Sequence, residues 1–121
     1  MKVAVSAAGP GAEAPLDPHL GRCAYFVVYD DESGTFSAVA NPGATEGGGA
    51  GIKAVQSLLR QGVNAVISGS VGPNACQILE QAGIRCYLGK SGPVRESVQA
   101  WRENALPPLK SAGGPGWRRR M

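Results

Sequence analysis

Between Val63 and Leu88 the residue pattern changes period twice: the apolar run VNAVISG gives way to PNACQILEQA, and that in turn to IRCYL. Short β-branched runs flanking a stretch of helical period read as strand, helix, strand, with Gly83 closing the helix. Few folds accommodate such a unit. Parallel strands need a crossover, the crossover is right-handed, and its helix lies on a face of the sheet. The chain is therefore an α/β protein whose central strands are covered on both sides.

The flanking sequence extends this unit. KVAVSA (2–7) reads as a first strand, followed by a long Gly- and Pro-containing loop to about residue 21. CAYFVVYD (23–30) and TFSAVAN (35–41) are joined by DESG, a hairpin turn in which Gly34 supplies a positive φ. Ile52, Val55, Leu58 and Leu59 mark a helix over 50–61 that Gly62 ends, and Val94, Val98 and Trp101 mark a last helix starting near Pro93 and stopping before Pro107 and Pro108. The order is βββαβαβα, a mixed sheet of five strands covered by helices. At 121 residues one core is expected. The division is a domain over 1–106 and a flexible Pro-, Gly- and Arg-rich tail over 107–121.

Charge and composition exclude several roles. The net charge of +3 resides entirely in Arg118, Arg119 and Arg120, because residues 1–110 carry nine basic and nine acidic side chains. A neutral folded part argues against nucleic acid as a partner; the tail reads as a solvated end, or as an adaptor through Trp117 and its arginines. No apolar run reaches the length of a membrane span, so a cytoplasmic protein is expected. Cys23, Cys76 and Cys86 match neither zinc nor redox spacing and read first as small buried hydrophobes, Cys86 in IRCYL best of all.

Chemistry concentrates in three glycine-rich loops expected to converge at the carboxyl ends of the parallel strands: 8–22, the run 47–51, and the junction 69–75. At that junction a strand ends and a helix begins, leaving backbone N–H groups aimed into one loop where an anion can settle. The anion is not an obvious nucleotide. GGGAGIK has Ile52 where a P-loop needs glycine, and GIRCYLGKS has one residue too many between its glycines. No carboxylates stand on the central strands to hold divalent ions for hydrolysis, and His19 is the only histidine. The segment LDPHLGRCAYFVVYD brings His19, Arg22 and Cys23 together: imidazole and thiol suit copper, iron or a metal–sulfur cluster, and arginine neutralises an anionic one. A surface histidine beside a buried cysteine is the simpler alternative.

MKVAVSA, DPHLGRCAYFVVYD, NPG with its glycine run and GVNAVISGSVGPNACQILEQAGI, in that order, resemble the dinitrogenase iron-molybdenum cofactor-binding family over residues 1–105. The resemblance implies a three-layer, ribonuclease-H-like fold and a carrier without catalytic activity. Its cargo would be a molybdenum-containing metal–sulfide cluster of molybdenum–copper or iron–molybdenum type, with proteins of cluster assembly or delivery as partners. His19, Gly21 and Arg22 fall on the family's first motif, and Gly69, Gly72 and Ala75 on its second glycine motif. Leu20 and Cys23 depart from it, standing where phenylalanine and alanine are favoured. The expected cleft draws on these residues with Gly49, Ser70, Val71 and Asn74, and takes positive charge from Arg22, with Lys53 or Lys90 as an additional candidate. Direct ligation by His19, Cys23 or Cys76 is the weaker expectation, and a small-anion or nucleotide-binding regulatory module is the alternative.

Overall fold

The computed structural model describes residues 1–44 and 50–109. Its elements are β1 (Lys2–Ala7), β2 (Tyr25–Asp30), β3 (Thr35–Ala40), α1 (Ala50–Gln61), β4 (Ala65–Ser68), α2 (Pro73–Gln81), β5 (Arg85–Leu88) and α3 (Val94–Arg102). The five strands form one sheet in the order β3-β2-β1-β4-β5, antiparallel across β3, β2 and β1 and parallel across β1, β4 and β5. This is the expected order of elements. The turn glycines Gly34, Gly62 and Gly83 adopt φ of +70°, +69° and +77°.

Alternation along the strands divides the interior into two cores. Ala4, Phe26, Val28 and Val66 face Ala54, Val55, Leu58 and Leu79 of α1 and α2; Val3, Val5, Val27 and Ile67 face Val94 and Val98 of α3. Three layers result. Burying each large aliphatic side chain contributes on the order of 1.5–3 kcal/mol, so the central strands carry most of the hydrophobic stabilisation. Leu59, although at helical spacing, is 42% exposed, because α1 turns Ala54, Val55 and Leu58 to the sheet instead.

Two sequence expectations change. Cys86 is only half-buried while Cys23 is fully enclosed, since β5 lies at the margin of the sheet and β2 beside its centre. The chain also stays on the sheet past residue 106: Leu88 N–H donates to Pro107 O (2.8 Å) and Leu109 N–H to Cys86 O (2.9 Å). Residues 107–109 thus form a strap antiparallel to β5. Residues 110–121, with Trp117 and its arginines, lie outside the described residues.

Candidate functional site

The loop after β1 is long, yet it is fastened along its length. Asp17 N–H donates to Ser6 O (2.9 Å), Ser6 Oγ to Asp17 O (2.6 Å), and Leu16 N–H to Gly92 O (2.9 Å). Its far end is held by Asn41, whose Nδ2 donates to Gly21 O (3.1 Å) and Cys23 O (2.9 Å) while its Oδ1 accepts from Gly43 N–H (2.9 Å). Asp17 Oδ1 accepts the His19 N–H at 2.9 Å in an Asx turn. Neither Asp17 nor Asn41 stood out as a site residue in the sequence. Their only signals are the Asp-Pro and Asn-Pro pairs.

This loop meets α1 and the β4–α2 junction above the carboxyl ends of β1 and β4. Gly69 N–H donates to Pro18 O (3.2 Å), Leu20 N–H donates to Ser70 O (3.3 Å), and a Cβ on Gly21 would lie 3.2 Å from Gly51 N. The cleft between them has a volume of about 340 Å³. Leu20, Gly21 and Arg22 line one side, Ala50, Gly51 and Ile52 a second, and Gly72, Pro73, Asn74 and Ala75 a third.

The start of α2 gives the cleft its polarity. Gly72 is the N-cap and provides no side-chain cap, and the first turn carries no acidic residue. Pro73 has no N–H, and the N–H groups of Asn74 and Ala75 have no intrahelical carbonyl to meet. The first N–H paired within this turn is Cys76, to Gly72 O at 2.9 Å. α3 begins differently: its Val94 and Arg95 N–H groups donate to Ala14 O and Ala12 O of the first loop, both at 2.8 Å, and Glu96 sits in its first turn. One loop thus closes the start of α3 and leaves that of α2 facing the cleft. Arg22 is the charged residue among the described lining residues. The start of the helix, with its positive partial charge, and the cationic residue Arg22 border one largely apolar-lined space, an arrangement that suits an anion.

The other expected site residues are distributed as follows. Gly69 and Ser70 clamp the first loop, Ser70 Oγ donating to Pro18 O at 3.0 Å, and Val71 is buried among Leu20 and Ala75. His19 stands 68% exposed beside the cleft with Nδ1 3.3 Å from Asp17 Oδ1. Lys53 follows Ile52 on the exposed side of α1, and Lys90 belongs to the loop before α3, its N–H on Ser97 Oγ at 2.9 Å; neither lines the cleft. Gly49 lies outside the described residues. The thiols face elsewhere. Cys23 is enclosed in the core, its Sγ 3.5 Å from Leu20 O, and burial pushes it up to about 12 despite hydrogen bonds that favour the thiolate. Cys76 lines a separate cavity with Cys86, whose thiol burial, Cys76 and Glu80 push up to about 12. His19, Cys23 and Cys76 are not brought together, and no group of three or more His, Cys, Asp or Glu among the described residues is arranged to hold a metal ion.

A larger concavity of about 750 Å³ opens at the opposite end of the sheet, among Asn64, Arg85, Trp101 and Arg102. Arg102 Nε lies 3.4 Å from Asp31 Oδ1 there, Glu103 also lines it, and the end of α3 rather than a helix start borders it. The smaller cleft has the better chemistry.

A family model described as dinitrogenase iron-molybdenum cofactor matches residues 1–104. The chain belongs to this family. It is 37% identical to the orange protein of Desulfovibrio gigas, whose apo form superposes with a TM-score of 0.85 over 91% of this chain and 93% of that one. The NifB-like protein of Thermotoga is 34% identical with a TM-score of 0.80, covering 93% of this chain and 98% of that chain. An uncharacterized protein of Methanocaldococcus jannaschii is 29% identical over 94 residues, 75% of this chain and 80% of its own length. No helix among the described residues is long and apolar enough to cross a membrane.

Proposed function

We propose that this protein binds and carries an anionic, molybdenum-containing metal–sulfide cluster, of molybdenum–copper or iron–molybdenum type, without catalysing a reaction. The observation that carries this reading is the meeting of Arg22 with the uncapped start of α2 across a cleft of about 340 Å³. A cluster that brings its own sulfides needs no protein thiol. It needs N–H donors, a cation and a wall that excludes water, here Asn74 and Ala75, Arg22, and Leu20 with Ile52. Family membership and likeness to the orange protein support a cluster as the guest. Proteins of cluster assembly or delivery are the partners this reading entails.

Anaerobic reconstitution with molybdate, copper and sulfide, or with iron, molybdate and sulfide, followed by elemental analysis and visible absorption, tests the proposal. A charge-transfer spectrum with stoichiometric molybdenum is expected. Arg22→Ala should lose at least about tenfold in retention, the scale of one charge-assisted contact, whereas His19→Ala, Cys23→Ala and Cys76→Ala should keep the cluster. Binding of phosphate or nucleotide, with no metal retained in either reconstitution, would replace this reading by a small-anion module.

A further inference from the structure

A second constellation lies between α2, β5 and the 107–109 strap. Cys76 Sγ is 3.8 Å from Glu80 Oε2, one helical turn away. Cys86 packs against the same core cluster and feels both groups electrostatically. Cys76 and Cys86 line one cavity of about 470 Å³, together with Ile84, Arg85 and Leu109. It shares no lining residue with the cleft. Simple packing accounts for Cys23, which is enclosed on every side; it does not account for two cysteines lining one cavity.

We propose that Cys76 and Cys86 hold one soft monovalent cation, of the silver(I) or copper(I) class, between their sulfurs. Thiolates select such ions, and two-coordinate geometry satisfies them. Zinc needs four ligands, and the described residues offer no group of three. On binding, each S–H bond gives its proton to solvent and each sulfur donates an electron pair to the cation, with no change of oxidation state. One negative charge remains on the unit. Arg85, which lines the same cavity, offsets it, and Glu80 gives the Cys76 proton an acceptor on its way out.

The test is an anaerobic titration of the full chain with silver(I) in chloride-free buffer, read by proton release and by thiolate-to-metal ultraviolet absorption. The wild-type chain and Cys23→Ser should each take up one tight equivalent and release two protons. Cys76→Ser and Cys86→Ser should each weaken uptake by more than the roughly tenfold that losing a supporting partner costs a metal site. Cys86→Ala, at a half-buried position, provides a second variant that keeps its fold, checked by circular dichroism. Uptake unchanged in a Cys76→Ser/Cys86→Ser chain overturns the proposal, as does uptake lost in Cys23→Ser alone or no tight uptake by the wild-type chain. Because no molybdenum or sulfide is used, the outcome is independent of cluster binding in the cleft.

Discussion

At the residue scale, the buried Asn41 holds the wall of the cleft from behind. Its amide ties the carbonyls of Gly21 and Cys23 to the Asn41–Gly43 turn and so fixes the backbone on which Arg22 rides. Asn41→Ala leaves those buried groups unmet and should lower unfolding free energy by about 1–3 kcal/mol, measured by urea denaturation, while weakening cluster retention further than the stability loss explains. The thiols make a second prediction. Burial pushes the thiols of Cys23 and Cys86 up from 9.0 to about 12 in the fold. A raised folded pKa means that the native state keeps a proton the unfolded chain gives up. Stability is therefore fully present below pH 9 and declines as pH rises towards 12, by up to about 1.4 kcal/mol per pH unit per thiol. Denaturation curves across that window should flatten in Cys23→Ala. The sequence held clear traces of Arg22 and the junction, because both sit on local motifs. Asn41 left little trace, since its partners are 18 to 20 positions away.

At the scale of elements, two glycines of one junction have opposite duties. A Cβ on Gly69 would lie 2.6 Å from Pro18 Cβ and 2.8 Å from Pro18 Cα, so Gly69→Ala must push the first loop off β4. A cost of about 1–3 kcal/mol is expected, read as a lower denaturation midpoint. Gly72 has open space around it. Gly72→Asp should fold normally and gain a few tenths of a kcal/mol as a side-chain cap, yet expel the anion, because its carboxylate takes the N–H groups the guest needs. Stability and retention should thus move in opposite directions. Strands and helices were legible because their periods are long and regular; the differing fates of the α2 and α3 N-termini were not. Both begin at a Gly-Pro pair of ordinary appearance, Gly72–Pro73 and Gly92–Pro93; Glu96 in the first turn of α3 is the one local difference, and the decisive one, the carbonyls of Ala12 and Ala14, is distant in sequence.

Over the whole molecule, the sheet has dissimilar margins. β3 is largely exposed, its Phe36 ring 4.9 Å from that of Tyr29, whereas β5 is covered by the strap at 107–109. Ending the chain at Leu106 should expose the backbone of β5, lower the thermal midpoint and promote association visible by light scattering. The inversion of Cys23 and Cys86 belongs to this scale too: a residue's depth depends on where its strand stands in the sheet, which a local run such as IRCYL does not encode. The contact of Pro18 with Gly69 and that of Gly21 with Gly51 have a last consequence. They hold the first-loop side of the cleft against the end of β4 at Gly69 and against the start of α1 at Gly51, each at van der Waals contact with no room for an added Cβ. The opening behaves as a fixed gauge rather than a jaw, admitting guests by size before any charge or donor has a say.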